Sequence, residues 1–402
     1  MKISKIDFSI LGATAADHFA SSLYLFLAPV FAESFMPNYD PYVQLMLAYS
    51  FLASSIFTHP AGAYIFGRIA SKMGPIRSLS HTLLGIAIIN ILTAILPSYK
   101  VIGAYSTFLL IFLRTIGGIF SAGESTIAKI YIMENKEDKI SFRASYMYPF
   151  SSSVGTVCSS ILCIFFYEHF RMLFLLSGIF SLILWLLRQN NNNKLTYEEL
   201  EETNTFKLLK KNALSVAKIT IITIASYTTW YVPFVLVHSI LEPAEEVPFR
   251  EWMESNAIFL IIDLFLIYII GRIVEFLNYK IVMAISAFLL TLSFAFIFPN
   301  INNFEMLGIS MFKMLIIILG VTFLCPHHYY FRSLFDNTKY RYLLIGISIS
   351  LGAALLGRAM PFICFLILSM SKSITYVGYF LASLTLSSLL VILIPDRTRK
   401  KI

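Results

Sequence analysis

The chain has 402 residues, of which 57% are hydrophobic, 15% aromatic and only 13% charged, and its formal net charge is +8. A water-soluble domain needs a largely polar exterior, so this composition excludes one; lipid, by contrast, accepts apolar side chains on the outside of a fold. A net charge of this sign also raises nucleic acid as a partner, but the placement of the charges along the chain argues for membrane topology instead.

Apolar stretches of roughly 20 residues, the length a helix needs to cross the hydrocarbon core, recur along the whole sequence. They predict twelve spans: 8–32, 42–67, 78–97, 102–133, 145–166, 170–188, 214–240, 256–277, 280–299, 305–328, 342–369 and 374–395. None shows the ten-residue alternation of a barrel strand, so the fold class is all-α, with the lipid bilayer as its solvent. The first stretch carries Asp17 and His18 at its centre and lacks a small-residue cleavage site, and it reads as a span rather than a cleavable leader. The four cysteines (Cys158, Cys163, Cys325 and Cys364) have no metal-ligand spacing and read as small buried hydrophobes. With no Walker, HExxH or nucleophile-elbow motif either, neither an enzyme nor a metal or other cofactor is expected.

The loops predicted on one side of the membrane, together with both chain ends, hold 24 of the 31 Lys and Arg. Lys2, Arg68, Arg77, Lys129, Arg143, Lys210, Arg272, Arg341 and Arg397 are among them. The opposite loops hold four (Lys100, Arg171, Arg250, Lys372), and three (Arg114, Lys313, Arg358) fall inside spans. This positive-inside pattern predicts both termini in the cytoplasm and a multi-pass protein of the plasma (inner) membrane. The net charge is then a matter of topology, and no nucleic acid is implied.

Residues 64–69 read YIFGRI and residues 268–273 read YIIGRI, 204 residues apart, each at the end of the second span of a six-span set. The spacing predicts duplication: a bundle over 1–188, a polar linker over 189–213 and a second bundle over 214–402. The linker carries an Asn run and a charged segment of helical character. Two six-helix bundles with a solute site between them near the membrane midplane follow from such a repeat.

Ionised groups inside a bilayer cost on the order of 2.5–3.5 kcal/mol even on insertion scales, so each needs a reason. Asp17, Arg114, Glu124, Asp263, Lys313 and Arg358 are the candidates for a solute or proton pathway. Asp17 and Arg114 lie at similar depth and are expected to pair, either as a packing device or as exchangeable partners of the solute. Glu124, ten residues beyond Arg114, is a candidate proton carrier or, equally, a structural link. Lys313 can serve the pathway or snorkel to the surface. His18 and His59 are candidates for titration near neutral pH. Tyr227, Trp230 and Tyr231 share one helix face at i, i+3 and i+4, which fits a cage for a quaternary ammonium or an interfacial belt. Gly117, Gly118 and Gly123 read as close helix packing.

The stretch from HPAGAYIFGRIASKMGPIRSL (59–79) through LRTIGGIFSAGESTIAKIYIMEN (113–135) to FRASY (142–146) resembles the major facilitator superfamily, and within it the metabolite–proton symporter branch. That branch includes proline/betaine and dicarboxylate transporters. The second half is similar through residues 326–342 and LGRAMPF (356–362). The resemblance implies a monomeric secondary transporter of a small polar, zwitterionic or carboxylate solute such as proline or betaine, with protons as the coupling ion. It also implies a gating loop after the second span of each half, matched here by Gly67, Arg68, Gly74 and Arg77 and by Gly271, Arg272 and Glu275. Ser71 stands where the first copy normally has an acid, Pro75 where it has an Arg, and Ala20 where the first span has a second acid. These departures leave open a proton-independent facilitator or exchanger and, from another class, a transport-inactive sensor or scaffold.

Overall fold

A computed structural model describes residues 5–35, 41–133, 138–189, 205–237, 249–335 and 340–395. The fold is all-α. In chain order the spans are α1 (Lys5–Phe26, running on as Ala28–Phe35), α2 (Pro41–Met73), α3 (Pro75–Ile95), α4 (Ala104–Tyr131), α5 (Asp138–Phe166) and α6 (Phe170–Gln189). They are followed by α7 (Ala213–Tyr231, then Val232–Leu236), α8 (Phe249–Val274), α9 (Tyr279–Leu292, then Ser293–Ile297 and Phe298–Asn303) and α10 (Met306–Leu324). The last two are α11 (Arg341–Gly352, then Ala353–Gly357 and Met360–Ser371) and α12 (Ile374–Leu393). Nine stretches among the described residues pass a strict test of length and hydropathy for crossing a membrane. One of the nine is the α5–α6 pair counted together, joined by a tight turn at Tyr167–His169.

The helices pair in two matching sets. In the first half α1 packs on α5 and α6, α2 on α4, and α3 on α4 and α6; in the second, α7 packs on α11 and α12, α8 on α10, and α9 on α10 and α12. Adding six to each number in the first set gives the second, although α2 also packs on α3 and α8 has no comparable contact with α9. The two main contacts between halves, α2 with α11 and α5 with α8, exchange under the same operation. The twelve helices thus form two six-helix bundles with one packing plan, as the repeat at residues 64–69 and 268–273 predicts. Large side chains such as Phe57, Phe108, Phe265 and Phe296 stand exposed on the outside, where lipid is their solvent.

Several helix boundaries differ from the periodicity reading for local reasons. α3 starts at Pro75, whose fixed φ suits a first helical position, after Gly74 at φ 89°, where a side chain would be strained. The departure of Pro75 from the family pattern is therefore a helix start. The tenth span stops at Leu324, and a short helix, His327–Ser333, begins after Pro326. α7, α9 and α11 each contain a π turn, at Val232–Leu236, Ser293–Ile297 and Ala353–Gly357, an irregularity that sequence periodicity does not reveal. Of the linker, residues 190–204 lie outside the described residues; the remainder includes a helix at Thr205–Lys211. Glu134 and the ends at Lys2 and Arg397 also lie outside them.

Candidate functional site

Between the halves lies a cavity of about 260 Å³. Asp17 reaches it from α1, Lys129 from α4, Asp263 from α8 and Arg358 from α11, so each half supplies one acid and one base. Both acids are buried and each takes a single serine hydroxyl. Ser121 donates to Asp17 Oδ2 at 3.0 Å, within the first half. Ser153 of α5 donates to Asp263 Oδ2 at 3.2 Å, across the two halves.

The bases are held differently. Lys129 Nζ sits 5.1 Å from the centre of the Tyr148 ring and, among the described residues, makes no salt bridge. Arg358 follows the π turn of α11 and precedes the restart of the helix at Met360–Pro361, so the widened turn sets the direction of its side chain. Its guanidinium has no ion-pair partner among the described residues.

Tyr227, Trp230 and Tyr231 line one wall as their spacing predicts, with Tyr227 and Tyr231 stacked at 6.1 Å and Trp230 edge-on to Tyr231 at 5.3 Å. Gly357 lets Tyr227 close against α11: a Cβ there would fall 2.6 Å from the ring. His18 lines the cavity, whereas His59 is buried without reaching it. At the end toward Arg143 and Arg272, termed here the basic end, the lining comes from His327 and His328, whose rings lie 3.8 Å apart.

Three of the six expected pathway residues lie elsewhere. Arg114 does not pair with Asp17. Its guanidinium stacks over the Tyr24 ring, with Phe174 5.1 Å away, and Nε and Nη2 are buried without hydrogen-bond partners among the described residues. The two side chains leave α4 and α1 toward different neighbours. Glu124 is engaged deep within the first bundle, where Thr82 donates to it at 2.6 Å and Arg188 of α6 pairs with it at 3.3 Å. Lys313 is buried, with Nζ 4.4 Å from the centre of the Phe259 ring, and does not line the cavity. Lys129, grouped in the sequence with the loop charges at that end, instead faces the cavity; its position within the predicted fourth span was the available signal. His327 and His328 were likewise missed, because the break at Pro326 that turns them inward leaves no mark on hydropathy.

The basic end is closed by contacts between halves. Arg143 Nε and Nη2 grip Glu275 at 2.8–3.0 Å, and Arg272 adds a contact at 3.3 Å. Arg143 holds the Glu275 carboxyl below its usual carboxylate range, chiefly through that hydrogen bond. Ser145 donates to the Cys325 carbonyl at 2.8 Å, and Arg332 donates to Ser141 at 2.7 Å. Gly271 lies flat against the Tyr146 ring, and Gly67 faces Leu343. In the first loop copy Arg68 reaches Thr205 at 3.5 Å, Ser71 bonds back to the Gly67 carbonyl at 2.9 Å, and Arg77 has no salt bridge among the described residues. The loop acid that survives, Glu275, carries the two-pronged charge contact, and Arg332 adds a longer one across the halves, 3.8 Å from Asp138.

An all-α membrane fold of two equivalent bundles, closed at one end around a charged cavity, is the frame of a solute carrier. The Major Facilitator Superfamily profile matches residues 10–326, and the chain belongs to that family. It is similar to the alpha-ketoglutarate permease of Escherichia coli (strain K12), 26% identical over 221 residues, which are 51% of this chain and 51% of the relative. It is also similar to the proline/betaine transporter of the same organism, 30% identical over 144 residues, 36% of this chain and 29% of the relative. The chain thus spans about half the length of the first and under a third of the second. Among solved structures, the human organic anion transporter MFSD10 (TETRAN) superposes with a TM-score of 0.75 at 12% identity, covering 98% of this chain and 100% of that one. The D-xylose-proton symporter does so with a TM-score of 0.66 at 16% identity, covering 99% and 100%. At these identities both bear on the fold alone.

Proposed function

We propose that the chain is a secondary active transporter of a small carboxylate-bearing solute, working by alternating access with protons as the coupling ion. The observation that carries this reading is the cavity between the halves, with one acid and one base from each. Rocking of the bundles about such a cavity alternates its access between the two sides of a membrane. The Ser153–Asp263 bond joins the halves, so solute or proton binding at Asp263 acts directly on the interface that must move. Relatives named for alpha-ketoglutarate and for proline/betaine support a carboxylate as the shared chemical handle. In this reading the protein works as a monomer in the plasma (inner) membrane, its basic end facing the cytoplasm.

The test is uptake of radiolabelled amino acids, betaines and carboxylates by cells expressing the chain, with and without an uncoupler. Accumulation that collapses with the proton gradient is expected. A proton-independent exchanger is the second reading, favoured by Ala20, which is buried where the family has an acid; it predicts counterflow insensitive to the uncoupler.

A further inference from the structure

Ser141, Phe142, Ser145 and Tyr148 of α5 lie against the end of α10 and the short helix His327–Ser333, which by sequence belong to the other half. Ser141 accepts from Arg332 at 2.7 Å, the Phe142 ring meets Tyr329 at 5.4 Å, and the Tyr148 ring meets His328 edge-on at 5.6 Å. Ser145 sits amid these contacts. Its hydroxyl donates to the Cys325 carbonyl at 2.8 Å and accepts from the Tyr329 N–H at 3.1 Å. Cys325 and Tyr329 are four residues apart, the pair that bonds directly in an uninterrupted α-helix. The hydroxyl is therefore spliced into a rung of a helix in the opposite half. The rungs from Cys325 N–H to the Val321 carbonyl and from Tyr330 N–H to the Pro326 carbonyl are both intact at 3.0 Å. Pro326, with no N–H to give, removes one rung between them. A side chain inserted into the ladder bends a helix.

We infer that Ser145 is a positioning residue: its hydroxyl, delivered by the first half when the basic end closes, sets the bend that turns His327 and His328 into the cavity lining. This rests on the alternating-access reading and adds the element by which closure reaches the cavity. Pro326 weakens the helix at this point, and the wedged hydroxyl decides which way the weakened segment points. Separation of the halves at the basic end withdraws it. The Cys325 carbonyl and the Tyr329 N–H then close on each other, so neither is stranded and the withdrawal costs the second half little. The segment swings as the rung shortens, and the two histidines, with 3.8 Å between their rings, move with it as one block. Tyr330 and Phe331 are buried, and Tyr279 of α9 packs on Tyr330, which keeps the segment on its own half as it moves. His328 then leaves Tyr148, and the end of the cavity opens in the same step that parts Arg143 from Glu275.

The test uses the full chain carrying His328→Cys, in sealed vesicles that expose the basic end to a membrane-impermeant thiol reagent. The chain without His328→Cys gives the background from the native cysteines. Ser145→Thr keeps the hydroxyl, and Ser145→Val has the same shape as Ser145→Thr without it. Labelling should be roughly fivefold faster or more in Ser145→Val than in Ser145→Thr, the scale of one lost hydrogen bond. Ser145→Ala should behave as Ser145→Val, with an unfolding temperature in detergent close to wild type, because its two backbone partners bond each other. Arg143→Glu should speed labelling too, and in that background Ser145→Ala should add nothing, since the wedge is already withdrawn. Equal labelling of Ser145→Thr and Ser145→Val overturns the inference, as does an effect of Ser145→Ala that persists undiminished in Arg143→Glu. A large fall in unfolding temperature in Ser145→Ala also overturns it and makes Ser145 an ordinary packing contact. Uptake is read separately. Wild type that takes up no offered solute while Ser145→Thr and Ser145→Val still differ in labelling refutes the transporter reading and leaves the wedge standing; uptake with equal labelling does the reverse.

Discussion

Arg143, at the start of α5, and Glu275, just past the end of α8, form a two-pronged ion pair across the two halves, at 2.8–3.0 Å. This pair is the strongest polar contact closing the basic end, and it uses the one loop acid the chain has kept. If it latches one access state, reversing either charge should favour the state open at the basic end. A cysteine placed beside the cavity then becomes reactive from that side in Arg143→Glu and in Glu275→Arg, and returns toward wild-type reactivity in the double reversal. Unchanged labelling in both single variants would show that the remaining contacts between the halves, among them Ser145 with Cys325 and Arg332 with Ser141, hold the seal without this pair.

The same pair should ignore pH near neutrality. Glu275 is held below its usual value by the hydrogen bond from Arg143, so the pair is fully formed above the ordinary carboxylate range. It is lost only as the pH falls through that lowered value. Labelling of the basic end in wild type should therefore be flat around neutral pH and rise only in acid. Any pH dependence of transport near neutrality then belongs to the cavity.

Glu124 and Arg188 have side chains only 1% and 2% exposed, and their contact joins α4 to α6 inside the first bundle. Arg188 also donates to the carbonyls of Leu79 and Ser9, so removing the acid strands a cation among neutral acceptors. Breaking a buried pair by deleting one partner typically costs about 3–5 kcal/mol. Glu124→Ala should lower the unfolding temperature in detergent and the amount of protein in the membrane. The folded fraction should still respond to a proton gradient. Normal stability with gradient response abolished would instead make Glu124 a proton carrier.

The fold was legible because its signals are summed over long stretches: hydropathy gave the spans, and residues 64–69 and 268–273 gave the duplication. The site was legible only where a charge sat deep in a span and happened to face inward, as with Asp17, Asp263 and Arg358, or where i, i+3, i+4 spacing fixed a common face, as with Tyr227, Trp230 and Tyr231. Depth does not give azimuth. Arg114 and Glu124 both fall inside the fourth span, as lining residues do in theirs, yet turn into their own bundle, toward Tyr24 and Arg188. Which way a helix faces after a break depends on π turns and on Pro326, local events that leave hydropathy unchanged, so His327 and His328 carry no such signal; Lys129, on the unbroken α4, sits close to the cluster of charges at the end of its span and is masked by them.

Gly357 should tolerate no side chain. A Cβ there meets Tyr227 at 2.6 Å from Cδ2 and 2.9 Å from Cγ, close to the root of the ring, so the ring cannot simply swing its tip away. Overpacking of this kind costs about 1–3 kcal/mol, and here it also displaces the wall beside Arg358. Gly357→Ala should weaken solute binding and lower the unfolding temperature. Gly12→Ala, which meets only a terminal methyl of Leu184 at 3.4 Å, should change neither. Equal behaviour of the two variants would show that the Tyr227 wall takes no part in binding.

Asp17 and Asp263 should divide the work of coupling between the halves. Each is buried in the cavity wall and each takes one serine hydroxyl, but the partner of Asp17 belongs to its own bundle and that of Asp263 to the opposite one. Neutralising Asp17 to Asn removes its charge, keeps its size and retains a hydrogen-bonding group for Ser121. Such a variant should lose uphill accumulation of solute in vesicles under an imposed pH gradient while keeping exchange of solute, because exchange needs no net proton movement. Asp263→Asn should lose accumulation too. Its exchange rate should also change, since the altered bond with Ser153 lies on the moving interface, and Ser153→Ala should reproduce that change in rate while leaving accumulation driven by the gradient. Ser121→Ala, by contrast, should leave the exchange rate untouched, because no contact between halves is lost. The measurements are gradient-driven uptake and counterflow in the same vesicle preparation, for wild type and the four variants. Accumulation persisting in both Asn variants would place the proton carrier elsewhere, and wild-type uptake indifferent to the gradient would make the protein an exchanger.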